Sequence, residues 1–420
     1  MHGWKRLTST GLGLVAALAA AIAPVSASAP TRRWVDDDGH AGPGGCSSPG
    51  HAFQHIQSAV DASGADDTVI VCPGTYVEQV HIDGHRDGLT LRSSRPFGAT
   101  IKAPASLARP AGFSYLVFID QVNRVTLAGF KTVTRTQGSC ETVDAAIVAV
   151  GSLQASIRGN RTLAPGAGPD AACYQGYGIL LVDALHSGSS TAAASGTILY
   201  NEIRDTYFTG IGAFSRSAGT NANIIHNSVR AYFGHPAVGG SPMGGVSYSG
   251  EYGIGLLGRS RGTIRDNVIQ GAGAAPAGGA TFFVGIVVSG SFLTSTGAYS
   301  NGPVDVRDNT VRRVVYGLQI AGSDQASVRR NHFTNTYAAV VLQQARGVSV
   351  QSNHLGAKAI GIYVDAVSHN NLFRHNRVTG NGGTCQDASS GAGTAGTANR
   401  WTSNTATQAS NPNGICVVAP

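Results

Sequence analysis

The chain has 420 residues, of which 42% are hydrophobic and only 13% charged, with 57 glycines and a formal net charge of +7. Such a composition supplies ample core and many turns, and the absence of any lysine-rich run argues against a nucleic-acid partner. The length would suit two or three domains, yet a solenoid runs equally long as one unit, and glycine spread through the whole chain fits a coil that bends several times per turn.

At the start, Lys5 and Arg6 precede an apolar run from Gly11 to Ala23 and small residues ending in Val25-Ser26-Ala27. This order reads as a secretory signal cleaved near Ala27. The run is too short and wrongly flanked for a membrane span, and no later stretch supplies one. The expected mature protein is secreted, soluble and monomeric. Six cysteines fit that compartment: Cys46, Cys72, Cys140, Cys173, Cys385 and Cys416 are even in number and lack metal-type spacing. Of the 15 possible connectivities, pairing between sequence neighbours is expected: Cys46 with Cys72, Cys140 with Cys173, Cys385 with Cys416.

Residues 28–50 are polar and rich in Gly, Pro and Asp, and read as a flexible segment. The Asp36-Asp37-Asp38-Gly39 cluster lacks the alternating ligand spacing of a calcium loop, so a solvated turn is the plainer reading; calcium stays open as a cofactor without a clear site. Phe53, Ile56, Ala59 and Val60 recur at helical spacing through HAFQHIQSAVDAS, predicting a short amphipathic helix that covers the open end of the first coil. His51 and His55 are four apart but have no third ligand near, so no metal site is assigned. Three short strands follow in TVIVCPGTYVEQVHI and GLTLRS.

The most explicit pattern lies in Val304–Gly380. VDVRDNTVRR, ASVRRNHFTN, VSVQSNHLGA and NLFRHNRVTG align on Asn309, Asn331, Asn353 and Asn376, at intervals of 22, 22 and 23 residues. The third residue before each asparagine is apolar, as is the second after it. Short β-branched runs joined by turns at this period describe coils of a right-handed parallel β-helix. The same motif reaches back to Asn160, Asn201, Asn227 and Asn267, at longer and unequal intervals that mark inserted loops. An inward asparagine stacked on its copies about 4.8 Å away satisfies corner backbone groups. The expected fold is thus all-β: a right-handed parallel β-helix of about 10–12 coils over residues 51–382, with an N-terminal capping helix and a disulfide-pinned C-terminal cap over 383–420.

FQHIQSAVDA followed by DTVIVCPGTYVEQVHI resembles the N-terminal cap and first coil of secreted right-handed β-helix repeat proteins of the pectin-lyase-like superfamily, and the repeats and C-terminal tail extend that resemblance over the mature chain. It implies this fold and a carbohydrate association. The likeness to pectin methylesterases ends at Gly74-Thr75-Tyr76-Val77-Glu78. QDTL, DFIFG and LGRPW are missing, as are the polygalacturonase GHG with RIK, the pectate-lyase Arg-x-Pro-x-x-Arg and a DPHE-like epimerase motif. No catalytic residue therefore carries over.

Function is sought where loops interrupt a rigid scaffold. Tyr232–Tyr252 combines His235, Glu251 and Tyr232, Tyr248 and Tyr252, with Tyr207 one coil earlier; aromatic rings suit pyranose faces and titratable groups move protons. A tyrosine-packed loop is the plain alternative. In register, the strands after each Gly-Ile or its equivalent point outward at Leu180/Val182, Gly212/Phe214, Gly255/Leu257, Val287/Ser289, Gln319/Ala321, Val341/Gln343 and Tyr363/Asp365. That face offers one carboxylate, Asp365, where a glycosidase needs two, which favours a lyase or epimerase over a hydrolase. Arg204, Arg230 and Arg312, and Arg158, Arg265, Arg307, Arg329 and Arg374, form two expected basic stripes suited to carboxylate, sulfate or phosphate groups, or to keeping strand edges apart. The candidate catalytic residues are Glu251, His235, Tyr252 and Arg230; the candidate binding residues are Arg204, Tyr207, Tyr232, Tyr248, Tyr363 and Asp365. The expected activity is binding or processing of an acidic or cell-wall polysaccharide. The alternative is a non-catalytic surface protein, and a role in metal-cofactor assembly finds no supporting Cys, Met or His constellation.

Overall fold

The computed structural model describes residues 29–134, 143–163, 175–185, 192–206, 208–230, 250–271, 282–290 and 302–419. Its strands form three parallel sheets, and each turn of the chain adds one strand to each. The first sheet runs from Arg32–Val35 through Thr68–Val71 and Thr90–Ser93 to Arg400–Thr402. The second runs from Gly74–Val77 to Val417–Val418, and the third from Val80–Ile82 to Cys385–Asp387. All sheet pairings are parallel and in register over most of their length, as expected for a right-handed β-helix.

The repeat's apolar pair explains the register. Ile157, Ile198, Ile224, Ile264, Val306, Val328, Val350 and Phe373 stack inward along the first sheet, and Ile203, Val229, Ile269, Val311, Phe333, Leu355 and Val378 along the second. All are buried. Each such side chain contributes about 1.5–3 kcal/mol, and a one-residue slip would turn the whole row to solvent.

Between these two rows the chain turns a sharp corner in two residues. The residue before each ladder asparagine is left-handed: Gly159, Tyr200, His226, Asp266, Asp308, Arg330, Ser352, His375 and Ser403 have φ between 53° and 61°. Only one of them is a glycine, so the asparagine that follows must hold the others in a conformation ordinary side chains disfavour. It does so threefold. The Asn331 backbone N–H donates to Asn353 Oδ1 at 2.9 Å, and its Nδ2 donates to that same oxygen at 3.0 Å and to the Val306 carbonyl of the previous coil at 2.9 Å. The pattern repeats from Asn160 to Asn404, the last member going beyond those evident from the repeat.

Both ends depart in part from the sequence reading. Arg32–Val35, in the segment read as a loop, is the first strand of the first sheet, because Val35 completes the buried layer above Val71. The capping helix is shorter than its apolar pattern, Ile56–Asp61, and Phe53 instead bridges to Val35. Its first amides, Ile56 and Gln57, donate to the two carboxylate oxygens of Glu78, both at 2.9 Å, which gives Glu78 a capping role. At the far end, residues 383–420 continue all three sheets. Trp401 stacks on Phe373 at 3.9 Å and its Nε1 donates to Asp387 at 2.8 Å, closing the core. Disulfides join Cys46 to Cys72 and Cys385 to Cys416, with Cα separations of 5.6 and 6.1 Å. Cys140 and Cys173 lie outside the described residues.

Candidate functional site

The unequal intervals of the asparagine ladder all serve the third sheet. The connections 135–142, 164–174, 231–249 and 272–281 lead into its strands, and 186–191 and 291–301 lead out of them. The third sheet is therefore the one whose strands the insertions adjoin in sequence.

The outer face of this sheet has two unlike halves. In the N-terminal half, Leu180, Val182, Phe214, Leu257 and Val287 point away from the central core, as their register requires, but they are buried in a second apolar cluster with Phe113, Tyr115 and Phe118. The outward register is as expected, but these positions are closed to water, because their apolar side chains pack on one another. In the C-terminal half the same two rows carry Gln319, Gln343, Tyr363 and Gln386, which reach solvent on either side of a buried Val341. Gln319 Nε2 donates to Gln343 Oε1 at 2.7 Å. A neighbouring row places tyrosine on alternate rungs, Tyr115, Tyr177, Tyr252 and Tyr316, with Ala145, Thr209 and Val284 between them. Two rungs span about 9.6 Å, close to the length of two linked pyranoses. Tyr115 and Tyr177 are buried, whereas Tyr252 and Tyr316 are half-buried.

The candidate residues fall unevenly on this frame. Tyr252 stands in the tyrosine row, and burial pushes its phenol up to about 12. At neutral pH it keeps its proton, so it suits a hydrogen-bond donor or acid better than a base. Glu251 lies on the same strand opposite Phe283; its side chain, and Tyr207, Tyr232, His235 and Tyr248, are outside the described residues. Arg204 and Arg230 pair in register on the second sheet and flank Asp205. Arg204 is already ion-paired with Glu202, which Arg161 shares at 2.5 Å. Asp365 is committed to its turn, accepting from the Ser368 amide and hydroxyl and from the Gln344 amide at 2.6–3.0 Å. Asp183, the other carboxylate nearby, is fully buried and accepts from the amides of Arg216, Ser217, Ala218 and Gly219.

The two basic stripes are not continuous. Leu199 and Ile225 separate Arg158 from Arg265, and Gln270 separates Arg230 from Arg312. Arg307 and Arg329 share Asp305, Arg307 and Arg330 share Asp308, and Arg265 meets Asp266 at 2.6 Å. Much of this charge is spent within the protein.

One titratable cluster escaped the sequence reading. His81 stacks on Phe118 at 4.9 Å, with Asp83 at 3.9 Å from Nδ1 and Asp120 at 3.8 Å from Nε2. His81 holds the Asp120 carboxyl below its usual range, and burial, then Asp120 and Asp83, push the Tyr115 phenol up. These five residues come from two adjacent rungs with a long connection between them, and only the register brings them together.

Comparison with known proteins agrees with the fold. Residues 240–415 match a family model described as periplasmic copper-binding protein NosD. Among solved structures, a mannuronan C-5 epimerase A-module from Azotobacter vinelandii superposes with a TM-score of 0.51 at 16% identity, covering 87% of this chain and 94% of that one. The catalytic unit of an α-1,3-glucanase from Streptomyces thermodiastaticus gives 0.54 at 14% identity, covering 88% and 67%. The chain has the fold of a right-handed parallel β-helix. No curated protein matches it in sequence. The β-helix is thus one on which epimerases and glucanases are also built, and at these identities the likeness is one of fold.

Copper, implied by the name of the matched family, finds no fitting donor set among the described residues. Among the described residues no group of three or more His, Cys, Asp or Glu side chains is placed to hold a metal ion, and the described cysteines are disulfide-bonded. The whole chain has two methionines, Met1 and Met243. A soft copper site needs free thiolate or thioether donors, and the described residues hold none.

Proposed function

We propose that this β-helix is exported and binds an extended acidic or cell-wall polysaccharide along the outer face of its third sheet, with lyase or epimerase chemistry at the rung of Tyr252. The observation that carries the reading is the change along that face from packed apolar side chains to solvent-reaching amides and tyrosines. Gln319, Gln343 and Gln386 offer donors and acceptors to sugar hydroxyls, and Tyr316 and Tyr363 offer ring faces, the mixture a pyranose chain requires. Two disulfides fit an oxidising compartment.

In this reading Tyr252 donates a proton, Glu251 and His235 serve proton abstraction and orientation, and Arg230, the last residue of its second-sheet strand before the chain passes to the Tyr252 strand, neutralises the substrate carboxylate from that edge. Arg204 contributes less, since Glu202 already occupies it. Among the described residues no second carboxylate stands beside Asp365 on that face, and Asp365 is itself engaged by its turn, which keeps hydrolysis second to elimination or epimerisation.

The test is mass spectrometry of acidic and wall polysaccharides after incubation with the mature protein, with and without calcium. Unsaturated or epimerised products lost in Glu251→Ala and His235→Ala are expected. An unchanged panel would instead favour a non-catalytic surface protein, a reading the packed N-terminal half of the face also suits.

A further inference from the structure

The second sheet carries a separate depression near its C-terminal end. Its outward rows run Thr310, His332, His354, Arg377 and Arg312, Thr334, Gly356, Thr379. Gly356 interrupts the second row. Its missing side chain leaves a floor, and a Cβ there would stand 2.8 Å from the Phe333 carbonyl oxygen. Around that floor Thr334, Asn335, His354, Lys358, Thr379 and Asn381 enclose a cavity of about 610 Å³. That is enough for one or two sugar rings.

The walls supply donors and positive charge, and no carboxylate lines them. His332 and His354 face each other with ring centroids 4.7 Å apart, and Thr379 Oγ1 lies 3.2 Å from His354 Nε2. Arg377 follows on the next rung and Lys358 stands exposed across the floor. Residues 331–420 contain Arg346, Lys358, Arg374, Arg377 and Arg400 but only two acids, Asp365 and Asp387. Both acids are committed elsewhere, Asp365 to its turn and Asp387 to Trp401 and Asn399. The midsection of the helix neutralises its arginines internally; this end leaves cations facing one cavity.

We propose that this depression is a second binding site, one that takes the carboxylate of a uronic acid residue between Lys358, His354 and Arg377, with Thr334, Asn335 and Asn381 on the sugar hydroxyls. It lies on a different sheet from the face discussed above and stands even if that face binds nothing. Its occupancy depends on pH. Burial, then His332 and Arg377, lower the His354 pKa, so the empty site holds a neutral imidazole at neutral pH. Among the groups facing it, His332, Arg377 and Lys358 are all basic. A bound carboxylate favours the imidazolium, so affinity rises as pH falls.

The test is titration of the full mature protein with hexagalacturonate at about pH 5 and about pH 8. Binding at the lower pH is expected to weaken about tenfold at the higher. It should weaken about tenfold when His354→Gln/Lys358→Gln is added to a Gln343→Ala/Tyr363→Ala background, which removes the third-sheet face, and stay unchanged when Arg346→Gln, at an exposed cation outside the depression, is added instead. The methyl-esterified hexamer should fail to compete. No binding at the lower pH, equal affinity in the His354/Lys358 variant, equal binding of the ester, or stronger binding of poly(glycerol phosphate) would each overturn the proposal. Should His354→Gln fail to fold, Lys358→Glu, at an exposed position, decides in the same way.

Discussion

The corner between the first and second sheets and the outer face of the third are made by the same coils, and they obey opposite rules. At the corner, coil after coil repeats a left-handed residue followed by a buried asparagine, with the same three donor contacts. On the third sheet no rung repeats its neighbour: the rows pass from Leu180 and Phe214 to Gln343 and Tyr363. A buried corner has one economical way to satisfy its amides, whereas an outward face is constrained only by what lies against it. The scaffold is therefore uniform where it must be and variable where substrate selection can act.

The largest effect should come from breaking the corner. Asn331→Ala removes a side chain that serves both Asn309 above and Asn353 below, leaving several buried donors and acceptors unpaired. A loss of about 4 kcal/mol is expected, read as a shifted denaturant midpoint. Phe214→Ala tests the packed half of the face: this ring is 2% exposed and meets Tyr177 edge-on at 5.5 Å. Its removal should cost about 3 kcal/mol. A cost near zero would mean that the face is open, contrary to the packing described. Smallest is Asp308→Asn. Hydrogen bonding to Arg330, then to Arg307, lowers the Asp308 pKa, so its contribution is present above the ordinary carboxylate pKa and lost as pH falls through the lowered value. The variant should melt slightly lower than the wild type at neutral pH and match it below the lowered pKa, which flattens the acid limb of a melting-temperature profile slightly.

The corner was legible in the sequence because its signal is local: an asparagine with apolar residues three before and two after needs no knowledge of register. Asn404 obeys the same rule, with Trp401 before and Ala406 after, but sits in a tail of small polar residues that masks the repeat. The strand at Arg32–Val35 was hidden for a related reason, a single buried valine among polar neighbours. The third-sheet site was far less legible. Its tyrosines come from rungs separated by insertions of unequal length, and whether Leu180 or Gln343 meets water depends on what packs over it, which alternation alone does not encode. His81, Asp83 and Asp120 illustrate the same limit, since their proximity exists only once two rungs are stacked.

The central claim is that the C-terminal half of the third sheet's face is where polysaccharide binds. Affinity electrophoresis of the wild type and of Gln343→Ala/Tyr363→Ala in gels containing acidic polysaccharide at neutral pH, where the His354 depression is weak, tests it most directly. Retardation lost in the variant at an unchanged melting temperature is the predicted result. Equal retardation of the two proteins would contradict it.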